Sequence, residues 1–203
     1  MNTISNILVA FGTLILAAVA IWGDVIRAKW APPKLRIIPF NTRGTVTQFT
    51  QGPRVIYYHL KVINDRPWFA GKNCQIRLTE ISKRGPNNQP IPIPNPVPES
   101  FVWSPARIAP DRVNIAKDHI FDFMSVAEGD NKVIPVLYWY PNNFIGTVMP
   151  NQAFQYSLEI IGDNLVKSHI QVFEVAWNGQ WDDNLDRMAF NLTITEITAP
   201  QVL

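Results

Sequence analysis

Cysteine is nearly absent from this 203-residue chain. A single one, Cys74, excludes an internal disulfide and a multi-cysteine metal cluster. Charge is scarce as well: Asp, Glu, Lys and Arg make up 17% of the residues, against ~25% in soluble domains. Neither sign dominates. The formal net charge of +2 is too balanced for a dedicated nucleic-acid binder, whose affinity rests on many Lys/Arg–phosphate contacts. The ten glycines include no Gly-x-Gly and no Gly-x-x-x-x-Gly-Lys, so there is neither a dinucleotide fingerprint nor a phosphate loop. Gly-x-Ser-x-Gly and His-Glu-x-x-His are missing too, so the common serine-hydrolase and zinc-protease signatures are absent. These gaps favour a non-enzymatic protein without cofactor or resident metal; a hydrolase of unknown substrate is the alternative.

Hydrophobic residues, by contrast, are 47% of the chain, enough to pack a core and to argue against disorder. They concentrate first at the N-terminus, where Ile4–Gly23 carries no charged side chain. Twenty helical residues span ~30 Å, the thickness of a bilayer core. Trp22 stands at the level of an interfacial aromatic, and Pro32-Pro33 stops the helix. A cleaved secretory signal and a buried core helix compete with this reading. The first lacks a basic n-region but has a small-residue stretch at Ala18-Val19-Ala20. The second is opposed by the length of the uninterrupted run. We expect a retained anchor contacting the lipid bilayer, over residues 1–31, followed by one domain over 32–203. Arg27, Lys29, Lys34 and Arg36 follow the apolar run and no Lys or Arg precedes it. The positive-inside rule then puts the C-terminal domain in the cytoplasm. Ala10, Thr13, Ala17 and Ala20 fall on one helical face, continued by Asp24 and Arg27. Such a seam of small residues lets two membrane helices approach closely, so a homo-oligomer is one expectation and lipid contact the other.

Beyond Lys34 the period changes from helix to strand. Val55–Ile63 alternates β-branched and aromatic residues, with Tyr58, Leu60 and Val62 on one face. Cys74–Ile81 alternates likewise. Shorter candidates are Leu35–Phe40, Phe101–Trp103, Val113–Met124, Val133–Tyr140, Phe154–Ile161, Ile170–Trp177 and Leu192–Ile197. Turn-forming clusters such as Glu128-Gly129-Asp130-Asn131 and Gly162-Asp163-Asn164 separate them. Short strands at near-regular spacing predict an all-β, antiparallel β-sandwich after one transmembrane α-helix. One short helix is expected over Asp182–Ala189. Pro90, Pro92, Pro94, Pro96 and Pro98 recur with period two. In an extended chain this strips donors from one edge only, which suits a blunted edge strand. An exposed loop is the alternative; a proline-module ligand is disfavoured because no two tract prolines are three apart.

Tyr58–Asn64 followed by Ala70–Ile76 resembles the early strands of immunoglobulin-like domains of the cell-adhesion-related bacterial type. The pattern shared is a strand, an Asn-containing turn and a second strand. The chain departs from it by placing Arg66-Pro67-Trp68-Phe69 in a turn that is usually glycine-rich. A spanning helix before such a domain is also similar to uncharacterised single-pass bacterial membrane proteins. The resemblance implies a fold and an anchor, and no activity.

Candidate chemistry is thin. His59, His119 and His169 are isolated in sequence, and His119 with Asp118 and Asp122 is the nearest approach to a ligand set. Asp182-Asp183-Asn184 and Asp186 lack the spacing and closing glutamate of a calcium loop. Glu159 and Glu174 could face one another only if the strands bring them together. The aromatics carry more. Trp68 and Phe69 occupy a turn, Trp139 lies between Tyr138 and Tyr140, and Trp177 and Trp181 flank a turn. Large aromatics fill β cores, so one tryptophan of each set is expected inside. The remainder form a candidate interaction surface for an unknown protein partner, or for carbohydrate if the domain faces the envelope.

Overall fold

The structure is a computed structural model. It describes residues 2–30, 32–48, 50–85, 89–94, 99–105, 108–165 and 170–197, with the backbone alone for residues 2 and 24–30. His169, Asn95–Pro98 and the side chains of Asp24 and Arg27 therefore lie outside the described residues.

The chain opens with helix α1, Asn2–Trp30. Two long strands follow, β1 (Leu35–Gln48) and β2 (Arg54–Asn64), then β3 (Gly71–Arg84). Short pieces come next: β4 (Pro90–Pro92), β5 (Glu99–Ser100), β6 (Val102–Trp103) and β7 (Val113–Ile115). After β8 (Asp118–Ala127) and β9 (Ile134–Pro135) come β10 (Gln152–Ile161) and β11 (Gln171–Trp177). Helix α2 (Leu185–Asn191) leads directly into β12 (Leu192–Ile197). One sheet has the order β1-β2-β8-β6, with β9 also on β8; the other runs β12-β11-β10-β3-β4, with β5 and β7 also on β3. Every ladder is antiparallel.

Period-two alternation places the inward residues. In β2 these are Ile56, Tyr58, Leu60 and Val62, and in β10 Tyr156 and Leu158. Both sheets feed one continuous apolar cluster. The Phe123 ring of β8 meets Tyr156 of β10 and Phe173 of β11, each at 5.9 Å between centroids. Edge-on aromatic pairs of this kind add to the burial that joins the layers. The alternation breaks in β3, where Thr79 has no partner between Leu78↔Leu158 and Glu80↔Ser157. That bulge turns Ile81 inward with Cys74, Ile76 and Leu78.

Several sequence boundaries shift. Leu35–Phe40 extends to Gln48 through an irregular stretch, where Asn41 Oδ1 accepts from Arg43 and Gly44 backbone N–H groups. Gly44 has φ +81, a left-handed conformation that glycine adopts without steric cost. Val113–Met124 is two strands, because β7 pairs with β3 and β8 with β2. The second helix starts at Leu185 rather than Asp182. Asn184 is its cap, its side chain accepting from Asp186 and Arg187 N–H. Pro90–Pro92 forms the outer edge of the second sheet, and the Ile93 N–H donates inward to Ile81 O at 2.8 Å. The blunted-edge expectation holds over that part of the tract.

Candidate functional surfaces and their geometry

The apolar helix surface comes first. Thr3–Gly23 is the one stretch among the described residues long and apolar enough to cross a membrane, and none of it is buried against the rest of the chain. Ala10, Thr13, Ala17 and Ala20 are all exposed. Thr13 Oγ1 donates to Val9 O at 2.8 Å, so the one polar side chain of the seam is satisfied within the helix.

The turn after β2 lies where the chain leaves that helix. Leu35 pairs with Asn64, bringing the first residue of β1 against the last of β2. Arg66 Nη1 donates to Pro32 O at 3.1 Å. Asn64 is buried, and its amide organises the turn. Nδ2 reaches Phe69 O at 2.6 Å and Ala116 O at 3.1 Å, while Oδ1 accepts from Arg66 N–H at 3.0 Å. This framework leaves Trp68 at the tip, 68% exposed. Phe69 is half-buried behind it.

The second aromatic set is not on a strand. After Pro135 the chain runs beside β5, with Tyr138 N–H donating to Ser100 O at 2.7 Å. Tyr140 Oη donates to Pro135 O, bending the segment back on itself. Consequently Tyr138, Trp139 and Tyr140 are all exposed, Trp139 at 58%. Strand alternation would have turned one of these faces inward; the bend presents all three. Tyr140 also packs edge-on against Phe144, which rests on the core.

The third set divides. Trp177 does not belong to any interaction surface: it is 2% exposed, at the end of β11 within the core. Trp181 is half-buried against that core, with its indole N–H donating to Asp183 at 3.2 Å. The five tryptophans and phenylalanines singled out from the sequence thus form no single patch. Trp68 and Trp139 are the exposed ones and sit on different parts of the domain. A depression of about 360 Å³ lies beside Trp177, rimmed by Phe190 and by Asn151, Gln152, Asn178 and Asn191. Phe190 is 84% exposed, and the sequence pattern gave no hint of it.

The titratable groups among the described residues do not converge on a reaction centre. Asp122 pairs with His59, Nδ1 to Oδ1 at 2.8 Å, because a register shift in the β2–β8 ladder sets these residues opposite. His119 instead stacks edge-on against Trp103 at 5.1 Å, and burial holds its pKa below the usual histidine value despite Asp118 nearby. Glu174 is bonded to Arg84 and Gln155. Glu159 lies four residues further along β10 than Gln155, the partner of Glu174, or ~13 Å at strand rise. That is too far for a glycosidase-type carboxylate pair. Asp182 accepts from Arg187 and from Asn184 N–H, bonds that pull its pKa down and serve the helix start. Among the described residues no group of three His, Cys, Asp or Glu side chains could hold a metal ion.

No family model, no curated protein and no solved structure matches the chain.

Proposed function

We propose that this chain is a single-pass membrane-anchored binding or scaffold protein, without catalytic activity of its own. Its domain, an immunoglobulin-like β-sandwich, recognises a protein partner on the cytoplasmic face of the membrane. The observation that carries the reading is the wholly uncovered apolar surface of Thr3–Gly23. No part of the described residues buries it, and a bilayer would. The strand order supports the finer fold. With the six long strands β1, β2, β3, β8, β10 and β11 taken as A, B, C, E, F and G and the two-residue β6 as D, β1-β2-β8-β6 reads A-B-E-D, and β3-β10-β11 reads C-F-G. The extra strand β12 extends the second sheet beyond that pattern. Residues Tyr138–Tyr140 supply the partner surface: three adjacent exposed aromatics are a common anchor for protein recognition. Self-association through Ala10, Thr13, Ala17 and Ala20 would present this surface in more than one copy.

Crosslinking in cells tests both parts. Trp139→Ala should remove a specific crosslinked partner while leaving the thermal midpoint unchanged. Ala17→Phe should weaken the crosslinked oligomer. Crosslinks unchanged in both variants would remove the scaffold reading.

A second reading has one observation in its favour. The depression rimmed by Phe190 and four amide side chains offers the mix of an aromatic face and neutral hydrogen-bonding groups that suits carbohydrate. It requires the domain to face the envelope. Emission unchanged by every glycan tested, together with unaltered behaviour of Phe190→Ala, would dismiss it.

A further inference from the structure

We propose that the end of the domain nearest the helix exit is a lipid-docking surface, with Trp68, Ile108 and Ile170 inserted at the bilayer interface. The proposal rests on the anchored reading above and goes beyond it: the domain would lie against the membrane rather than hang from it.

The three residues come from different loops. Trp68 tips the turn between β2 and β3, Ile108 lies before β7, and Ile170 immediately precedes β11. Their exposures are 68%, 80% and 58%. The sheet register brings the loops to one end of the domain. Leu35 pairs with Asn64, Ile63 with Asp118, and Cys74 with Val113. Gln171, next to Ile170, hydrogen-bonds both backbone groups of Ile37 through its side chain. Asn164, in the same loop as Ile170, donates to Ala70 O at 2.9 Å, near Trp68.

Chain length fixes where this end must be. Residues 24–30 continue α1 past the apolar run, adding about 10 Å of helix. A headgroup layer is roughly 5–8 Å thick on each side. The helix therefore ends just outside the headgroups. Pro32 is two residues further on and is held by Arg66, which stands two residues before Trp68. The tip cannot be far from the interface where tryptophan partitions best.

Charge agrees. Lys34, Arg66, Lys72, Arg112 and Lys117 occupy the same end outside any ion pair among the described residues, and with Arg36 they outnumber its carboxylates Asp65, Asp111, Asp118 and Asp163, of which Asp65 is held by Arg36 and Asp118 by Lys61. Away from it, Arg43, Arg54 and Arg187 are each paired with carboxylates at 2.8 Å. Basic side chains left open around apolar tips fit anionic headgroups, the lipid chemistry to which this surface is assigned. Free cysteine labelling can read the contact, because Cys74 is fully buried.

The test uses the full chain reconstituted in vesicles of phosphatidylcholine with or without phosphatidylglycerol. Ile108→Cys and, as a control in the β8–β9 turn, Asp130→Cys are labelled with an environment-sensitive dye. The expected result is a blue shift and loss of emission to a quencher in the upper acyl chain for Ile108→Cys, stronger with phosphatidylglycerol, and neither effect for Asp130→Cys. Equal, weak quenching at both sites in protein that resists carbonate extraction would overturn the docking surface and leave the anchor standing. Protein released by carbonate would instead bring down the anchored reading, and the docking surface with it.

Discussion

Arg66 donates a hydrogen bond to the carbonyl of Pro32 at 3.1 Å, tying the turn that displays Trp68 to the link between the apolar helix and the domain. Pro32-Pro33 restricts the backbone on one side of this bond, and the buried Asn64 amide holds the turn on the other. The domain's attachment and its most exposed tryptophan are therefore parts of one local framework.

The first prediction concerns that framework. Asn64→Ala strips Arg66 N–H of its acceptor and Phe69 O and Ala116 O of a donor, inside a site that is 6% exposed. Leaving buried polar groups unmade costs ~1–3 kcal/mol. Denaturant unfolding should show a loss in that range, and proteolysis should move to the 65–70 turn. A variant as stable as wild type would mean that the amide is not organising the turn.

A second concerns pH. Burial against Trp103 lowers the pKa of His119 below 6.5. Below that value the unfolded chain binds this proton before the folded one does. Stability must therefore fall as pH drops through 6.5 and below, and the contribution is complete above it. Comparing wild type with His119→Gln isolates the term, since Glu99 and the exposed carboxylates are common to both. The variant should lose less stability over that interval. Parallel curves would place the histidine in an unperturbed setting.

A third concerns the thiol. Cys74 is fully buried, and burial above all pushes its pKa up to about 11. The thiolate is the reactive form. Thiol reagents should leave the folded protein unmodified at mildly alkaline pH and label it once on unfolding. Labelling at the same rate in both states would contradict the packing of β3 against β7.

The long apolar helix and the β class were legible in the sequence because each has a period or a length of its own. Ile56, Tyr58, Leu60 and Val62 alternate, and the alternation survives in β2. Ile81 was legible as apolar but not as inward-facing, since the bulge at Thr79 is set by the β10 register. Tyr138–Tyr140 looked like a strand because alternation cannot distinguish a strand from a bend closed by Tyr140 and Pro135. β1 beyond Phe40 was missed because Asn41–Gln48 is polar and kinked at Gly44. Ile108 lies in a loop with no period, and Ile170, expected to open the Ile170–Trp177 strand, stands just before it; only the pairing of distant strands places them at the same end of the domain as Trp68.

Protease accessibility of the domain, in intact and in lysed cells with the product mass recorded, bears most directly on the membrane-anchored cytoplasmic account. That account predicts full-length protein protected in intact cells and digested only after lysis. Digestion from outside, or a product shortened by about 20 residues, the length of a spanning run, would contradict it.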